Sequence, residues 1–200
     1  SFLSANKYWA KIEKAVRETK DVIIVYEDEI INPVFHANSG GRTENAEDVW
    51  IGDGVPYLKS VVSHGEEISP QYENTVRFTI DEFKNKLKGE FSDIEFSEED
   101  ILNQIEILEY TESDRVKSLR VANIEVKGTE FRRIFSLKST NFKIQTGEDG
   151  TLQITTLGYG HGVGMSQYGA NYLAKSGGTY EEILKYYYKG VEITNIQDFQ

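Results

Sequence analysis

Residues 158–170 read Gly-Tyr-Gly-His-Gly-Val-Gly-Met-Ser-Gln-Tyr-Gly-Ala, and they say more about the fold than any other part of the chain. Glycines alternate here with Tyr159, His161 and Val163. Glycine permits positive φ and a close approach of another backbone or of a ligand. A helical pattern begins at Ser166, and the free N–H groups at such a helix start can bind polar or anionic groups. This glycine run is therefore either a ligand-facing loop or a tight structural turn, and its spacing fits neither the dinucleotide fingerprint nor the P-loop.

A second glycine-rich segment, the 38–45 loop, reads Asn-Ser-Gly-Gly-Arg-Thr-Glu-Asn. It is either a surface loop stabilised by its own hydrogen bonds or a binding loop held by a scaffold. We expect the loop and the glycine run to lie side by side on one rim of a cleft. We also expect His161 to hydrogen-bond to Ser39, Thr43 or Glu44, because its glycine neighbours leave the imidazole little packing of its own.

The composition indicates a globular protein with an acidic surface. A chain of 200 residues, 38% of them hydrophobic, can form one large domain or two small lobes. The net charge of −11 argues against nucleic acid as a partner, since its binding needs a basic surface. The absence of cysteine excludes disulfides, thiolate zinc sites and cysteine nucleophiles, and the three histidines are too far apart for a zinc motif. No metal and no cofactor are predicted.

Acidic residues are concentrated in one segment. Residues 81–114 hold twelve carboxylates and three lysines, which leaves the rest of the chain close to neutral. We interpret the segment as a solvated lobe that lies away from the cleft. The predicted domains are a groove-forming core lobe, residues 1–65 and 115–200, and an inserted acidic α/β lobe, residues 66–114.

Hydrophobic periodicity and capping signals predict an α+β fold of mixed, mainly antiparallel β-structure with several short helices. Because the βαβ alternation of a doubly wound sheet is missing, we expect two lobes that flank a groove. Helices are predicted at 6–19, from Thr79 or Asp81 to Leu87, from Ser97, at 129–137, after Ser166 and from Thr179 to Lys189. Strands are predicted at 21–26, 30–37, 57–63, 74–80, 104–111, 116–126 and 142–156.

Several motifs resemble one known family. His161-Gly-Val-Gly-Met-Ser-Gln-Tyr-Gly-Ala, followed by Tyr180-Glu-Glu-Ile-Leu-Lys-Tyr-Tyr-Tyr-Lys-Gly-Val, resembles the C-terminal signature of the stage II sporulation protein D family, which also includes the amidase enhancers. The resemblance extends to Asn38-Ser-Gly-Gly-Arg-Thr-Glu-Asn-Ala-Glu-Asp-Val-Trp with Pro56-Tyr-Leu-Lys-Ser-Val, and to Gly128-Thr-Glu-Phe-Arg-Arg with Ser139-Thr-Asn-Phe. These motifs occur in the right order and span most of the chain.

The resemblance implies a peptidoglycan lytic transglycosylase that acts in engulfment during endospore formation. Such enzymes cleave between N-acetylmuramic acid and N-acetylglucosamine without water and form a 1,6-anhydro ring on the muramic acid. One carboxyl group serves as acid to the leaving oxygen and then as base to the C6 hydroxyl, so its pKa must be raised. The implied partners are peptidoglycan glycan strands, the amidase stage II sporulation protein P and the membrane protein stage II sporulation protein M. The implied location is extracytoplasmic, at the mother-cell engulfing membrane, with the membrane anchor absent from this chain.

The chain departs from the family pattern in one respect. The family's acid lies in an Ala/Ser-Glu-Met-Pro motif, which is missing here, and the only methionine is Met165. The cysteines that bind zinc in some relatives are missing too. We therefore expect the catalytic glutamate upstream of Ser1, no catalytic residue within the chain, and no activity from the chain alone.

The candidate substrate-binding residues lie on the two glycine-rich segments: Ser39, Gly40, Gly41, Thr43, Glu44, His161, Gln167 and Tyr168. Two alternatives to this interpretation stay open. One is a non-enzymatic cell-wall-binding or amidase-enhancing module. The other is a divergent hydrolase with Glu44 as its acid, a role for which Glu47 and Asp48 compete on sequence alone.

Overall fold

The computed structural model describes residues 2–50, 52 and 54–199, with side chains from residue 8 onward. This part of the chain holds five α-helices and eleven mostly antiparallel strands, which confirms the predicted α+β class. The helices are α1 (Phe2–Glu18), α2 (Ile80–Glu90), α3 (Gly128–Ile134), α4 (Gln167–Lys175) and α5 (Tyr180–Tyr187). The strands are β1 (Val22–Tyr26), β2 (Glu29–Ile30), β3 (Phe35–His36), β4 (Glu73–Phe78), β5 (Ile105–Tyr110), β6 (Val116–Val121), β7 (Ile124–Lys127), β8 (Phe142–Thr146), β9 (Leu152–Leu157), β10 (Met165–Ser166) and β11 (Glu192–Asn195).

The chain forms two compact units, residues 1–32 with 190–200 and residues 33–189. In the first unit, β1 lies between β11 and β2 in an antiparallel sheet. Glu27 and Asp28 have φ of +48° and +61°, which is the geometry of a two-residue hairpin turn between β1 and β2. The helix predicted at 6–19 and the strand predicted at 21–26 are confirmed.

Two three-stranded antiparallel sheets and two helices form the core of the second unit. One sheet has the order β4-β9-β8 and the other β5-β6-β7. Buried apolar side chains from both sheets, from α2 and from α3 pack into one cluster. Phe83 of α2 stacks on Phe135 with ring centroids 4.8 Å apart, and Phe131 of α3 stacks on Phe142 of β8 at 5.1 Å. Phe83 anchors the acidic segment in this core, and the division into a core lobe and an inserted acidic lobe stays a prediction.

Helix starts follow the capping signals in the sequence. Thr79 and Glu82 form a reciprocal capping box at the start of α2, and Thr179 and Glu182 form another at α5. The Ser166 hydroxyl accepts a backbone N–H in the first turn of α4. These caps confirm three predicted starts and place α4 directly after the glycine run.

Four predicted strands are wrong. Those at 116–126 and 142–156 are each a hairpin of two antiparallel strands, β6 with β7 and β8 with β9. Residues 57–63 do not form a strand, because their backbone pairs with the irregular 38–45 loop instead of with a regular ladder. The strand predicted at 30–37 is interrupted around Pro33, which has no N–H to give to a ladder, so β2 and β3 are separate and short.

The helix or helical turn predicted from Ser97 is a single 3-10 turn that begins later, at Ile101. The capping side chain is Asp100, which accepts the N–H of Leu102 at 2.8 Å. It starts only a single 3-10 turn, Ile101–Gln104, because β5 begins at the next residue.

A short parallel pair positions the glycine run. Met165 and Ser166 of β10 lie opposite Phe35 and His36 of β3. This pairing brings the end of the run to the segment that immediately precedes the 38–45 loop. No helix among the residues described above is both long and apolar enough to cross a bilayer.

Candidate functional site

The 38–45 loop and the glycine run lie side by side, which confirms that prediction. Asn38 and Tyr159 exchange two backbone hydrogen bonds, of 3.2 and 2.8 Å. At the other end of the loop, Glu44 donates its N–H to the carbonyl oxygen of Gly162 at 2.8 Å. The two segments are thus joined at both ends of the loop.

Close packing explains why the run needs glycines at two positions. Gly164 has φ of +72°, and a Cβ there would overlap the carbonyl oxygen of Val34. Gly162 has φ of +87°, and its Cβ would lie 2.7 Å from Cζ of Arg115. A side chain at either position would have to displace backbone or a buried cation. At Gly162 and Gly164 this geometry favours the second interpretation of the run, a tight structural turn.

A buried carboxylate, which the sequence reading missed, shapes the 38–45 loop. Glu66 is fully buried and accepts the N–H groups of Ser39 and Gly41 at 3.0 and 2.9 Å. It also accepts the hydroxyls of Ser39 and Ser63, both at 2.8 Å. Tyr187 contacts the Ser63 hydroxyl at 2.7 Å. The Glu66 side chain thus occupies the position that a bound anion would take within the loop, and its hydrogen bonds fix the conformation of the loop.

The predicted contact residues divide into two groups. Ser39 and Thr43 are buried, and the Thr43 hydroxyl accepts the N–H of Val61 at 2.8 Å. Their hydroxyls are therefore engaged inside the protein and support the loop. Glu44 is buried as well. The remaining predicted contact residues are half-buried or exposed: Gly40, Gly41, His161, Gln167 and Tyr168.

Glu44 and Arg115 form a buried pair beneath the loop. Arg115 Nε lies 3.8 Å from Glu44 Oε2, which also accepts the Thr111 hydroxyl at 2.7 Å. The N–H of Asn45 donates to Oε1 at 3.1 Å. Burial raises the pKa of Glu44 above its ordinary value, against the opposing effects of Thr111 and Arg115. Burial lowers the pKa of Arg115 to about 10, so its guanidinium stays charged at neutral pH.

The acidic segment reaches this site at its C-terminal end. Thr111 contacts Glu44, and the Ser113 hydroxyl donates to the Thr43 carbonyl at 2.7 Å. The expectation that residues 81–114 lie wholly away from the glycine-rich segments is therefore wrong. The reason is that β5 ends beside the loop, so its last residues pack against it.

A cavity of about 480 Å³ opens beside the buried pair, and we call it the acidic cavity. Its wall carries five carboxylates and two lysines, with Glu44 and the exposed Trp50 among its lining residues. One of the lysines, Lys117, lies 2.8 Å from Glu109 and 3.6 Å from Asp48, and the hydrogen bond with Glu109 raises the pKa of its ammonium group. An aromatic ring beside hydroxyls and charged groups is a surface that suits a polar ligand such as a sugar.

The hydrogen bonds of His161 differ from the prediction. Its Nε2 lies 3.0 Å from the carbonyl oxygen of Phe35, and its Nδ1 accepts the N–H of Val163 at 3.1 Å. These bonds fix the neutral imidazole with its proton on Nε2, and burial lowers the pKa of His161 in the same sense. The predicted bond to the 38–45 loop is wrong, because the tight turn places the N–H of Val163 against the ring. Trp50 packs on this imidazole, with centroids 5.2 Å apart.

His36 is buried, unlike His161, and the sequence did not single it out. Its Nδ1 lies 3.1 Å from the carbonyl oxygen of Val163, and Nε2 has no partner among the described residues. The His36 and His161 rings meet edge to face at 5.6 Å. Burial, followed by the nearby charge of Arg115, lowers the pKa of His36 to about 3. The uncharged imidazole of His36 therefore holds the glycine run in place through its hydrogen bond to Val163.

Several residues of the site escaped sequence reasoning, chiefly Glu66, Arg115 and His36. Glu66 is one of two adjacent glutamates, and Arg115 follows an acidic run, so neither has a local signal. Trp50 did have one, as an aromatic residue within a polar, glycine-bearing segment. Across the part of the chain that the structure describes, no three His, Asp or Glu side chains are grouped so as to hold a metal ion.

Comparison with known proteins places this geometry in a biological context. The chain is 39% identical to stage II sporulation protein D of Bacillus amyloliquefaciens over 94% of the chain and 52% of that protein. It has the same identity and coverage with stage II sporulation protein D of Bacillus subtilis (strain 168). It is 27% identical to the amidase enhancer of the same strain, over 91% of the chain and 32% of that protein. No family model matches the chain.

These similarities link the chain to proteins named for sporulation and for the enhancement of an amidase. They support its assignment to the stage II sporulation protein D family, as the motifs on the two glycine-rich segments predict. The chain spans about half the length of these two sporulation proteins D.

Proposed function

We propose that this chain is part of a peptidoglycan lytic transglycosylase that acts on glycan strands during engulfment. The reaction would cleave between N-acetylmuramic acid and N-acetylglucosamine and leave 1,6-anhydro products. The observation that carries the proposal is the acidic cavity beside the joined glycine-rich segments, in a chain similar to sporulation proteins D over 94% of its length. Trp50 offers a stacking surface for a sugar ring, and the carboxylates and hydroxyls of the wall offer hydrogen-bond partners.

The proposal places the catalytic acid outside these 200 residues. The Glu-Met-Pro motif is missing from the chain, which covers about half of its curated relatives. Glu44 is buried and bonded to Thr111 and Asn45, so its role in this proposal is to hold the cavity wall. The proposed partners are the sporulation amidase and the membrane protein of the same process, stage II sporulation proteins P and M. The proposed location is the extracytoplasmic face of the engulfing membrane.

A second candidate function is a non-enzymatic module that binds the wall or enhances an amidase. The similarity to an amidase enhancer over 91% of the chain favours it. In this case the acidic cavity would bind glycan without cleaving it, and a separate amidase would cleave the cell wall while this module is bound.

The test is mass spectrometry of the products formed from purified glycan strands. The samples are the 200-residue chain, its Glu44→Gln variant and a longer version that carries the family's Glu-Met-Pro segment. Muramic acid 1,6-anhydro products from the longer version alone would support the transglycosylase. Products from the 200-residue chain that disappear in Glu44→Gln would contradict the placement of the acid outside these residues. They would make Glu44 the acid of a divergent enzyme.

A separate reaction tests the second candidate. A cell-wall amidase is assayed with and without the 200-residue chain and with a Trp50→Ala variant. Faster release of stem peptides by the amidase, together with no 1,6-anhydro products from any sample, would establish the enhancing module in place of the enzyme.

A further inference from the structure

A second cavity, of about 350 Å³, has a positive wall on an otherwise acidic protein. Arg132, Arg133 and Lys138 line it together with Tyr159 of the glycine run. The side chains of Thr129 and Ser136 also line it. We call this cavity the basic pocket. None of the contact residues that the sequence predicted lines this pocket.

Two of the three cations in the basic pocket have no internal counter-charge. Arg133 is paired with Glu90 at 2.6 Å. Arg132 donates only its Nε to a backbone carbonyl, at 3.2 Å, and the ammonium of Lys138 lies 4.5 Å from the Tyr159 ring centroid. Among the described residues, no carboxylate comes within 4.0 Å of either Arg132 or Lys138.

The chemistry of these groups selects an oxyanion. A guanidinium with free N–H groups binds a carboxylate in a planar, two-point geometry, and an ammonium beside it adds a second charge. The Tyr159 ring holds the ammonium by a cation–π contact, so Lys138 is positioned before any ligand arrives. Hydroxyls from Thr129 and Ser136 provide further donors on the wall.

The basic pocket adjoins the acidic cavity. Thr129 lines both of them, so the two cavities meet at this residue. Tyr159 of the glycine run lines the basic pocket, and His161 of the same run contacts Trp50, which lines the acidic cavity. A chain-like ligand that lies across Thr129 would therefore meet a negative surface and then a positive one.

We propose that the basic pocket binds the lactyl carboxylate of a muramic acid residue and thereby sets the register of the glycan. This inference rests on the proposed function, since it takes glycan as the ligand of the acidic cavity. In a peptide-free alternating glycan, where the lactyl group is not bound to a stem peptide, only every second sugar carries a carboxylate. The negative wall of the acidic cavity repels that sugar and accepts the neutral one, while Arg132 and Lys138 attract the charged one.

The test compares two ligands that differ only at the lactyl carboxyl groups, which are charged in one and neutral in the other. One is a peptide-free tetrasaccharide of alternating N-acetylglucosamine and N-acetylmuramic acid. The other is the same tetrasaccharide with its carboxylates converted to methyl amides. Calorimetry measures the affinity of the protein for both, and of the variants Arg132→Gln and Lys138→Gln. Arg120→Gln and Lys143→Gln are the matched controls, because both remove an exposed positive charge outside the two cavities.

We expect the protein to bind the charged form about tenfold more tightly than the amide, equivalent to about 1.4 kcal/mol. Arg132→Gln and Lys138→Gln should each remove most of this preference, without weakening the amide form, and Arg120→Gln and Lys143→Gln should keep it. The preference should also shrink as salt is added.

The outcomes separate this inference from the function on which it rests. Equal and measurable binding of both forms by the protein would overturn the carboxylate subsite and leave the proposed function intact. Binding of neither form would overturn both. A preference that Arg132→Gln and Lys138→Gln leave unchanged would place the carboxylate elsewhere and would also overturn the inference. Addition of inorganic phosphate distinguishes a general oxyanion site, since competition from phosphate at low concentration would contradict recognition of the sugar carboxylate.

Discussion

Replacing His36 with asparagine should reduce the loss of stability that the protein undergoes as the pH falls. The buried imidazole donates from Nδ1 to the Val163 carbonyl and faces the charge of Arg115 and the ring of His161. Protonation of His36 would place an unpaired cation beside the guanidinium of Arg115, so the folded state keeps the imidazole neutral. The unfolded state is free to protonate it, and acid therefore favours unfolding.

The magnitude follows from the two pKa values. The pKa of His36 is 6.5 when exposed and about 3 in the folded protein, so between these values the unfolded state binds one more proton. Stability from this group is complete above pH 6.5 and is lost as the pH falls toward 3. At 1.36 kcal/mol per unit of pKa, the loss is about 1.4 kcal/mol from about pH 7.5 to about pH 5.5, and about 2.7 kcal/mol by about pH 4.5.

Urea denaturation followed by circular dichroism at several pH values measures this slope. Asparagine keeps a donor near the position of Nδ1, so the change in slope is the quantity of interest, whatever happens to the baseline stability. His161 also has a lowered pKa and contributes with the same sign, whereas the raised pKa of Glu44 makes its contribution fall as the pH rises. The difference between the parent and His36→Asn isolates His36. The control is His64→Asn, which removes an exposed histidine instead of the buried one.

The reasoning is refuted if His36→Asn retains the full slope of the parent. It is also refuted if NMR titration of the folded protein shows the His36 imidazole gaining its proton near pH 6.5. Either result would mean that burial beside Arg115 does not exclude the charged form.

Three further changes should lower the free energy of unfolding, as measured by urea denaturation at neutral pH. Glu66→Gln should cost about 3 kcal/mol, because an amide nitrogen would face donors that now bind a carboxylate, whereas the exposed Glu67→Gln should cost less than about 0.5 kcal/mol. Gly164→Ala should cost more than about 2 kcal/mol, because the new Cβ would overlap the Val34 carbonyl. The control Gly177→Ala, which has positive φ but open space around it, should cost about 1 kcal/mol. Equal losses in the two variants would contradict the packing argument. Tyr187→Phe should cost about 1 kcal/mol by removing one hydroxyl from the network around Glu66, and an unchanged stability would mean that this contact contributes nothing.

Local signals in the sequence were enough for much of the fold. The capping boxes at Thr79 and Thr179 predict two helix starts because the side chain and the backbone it bonds lie three residues apart. The turn at Glu27 and Asp28 is equally local. The α+β class follows from such elements, since it needs only their kinds and their order.

The candidate site could be predicted only in part, because most of its contacts join distant residues. The juxtaposition of the two glycine-rich segments was foreseen from their composition, but the groups that hold them were not. Arg115 donates to the Ser39 carbonyl across 76 residues, and Glu66 reaches Ser39 across 27. The prediction for His161 failed for the opposite reason, since its partner Val163 is only two residues away and depends on the turn geometry.

The contacts of the glycine run also bear on the order in which the protein is made and folds. His36 and Val163 are 127 residues apart in the chain, whereas β6 with β7 and β8 with β9 are neighbouring hairpins that close quickly. At a synthesis rate of about 5–20 residues per second, the 38–45 loop waits about 6–25 s on the ribosome for its partner segment. The aromatic core can consolidate during that interval, but the hydrogen bonds that join the loop to Tyr159 and Gly162 cannot form. A chain stalled before residue 158 would carry a core without these contacts and without Tyr159 in the wall of the basic pocket.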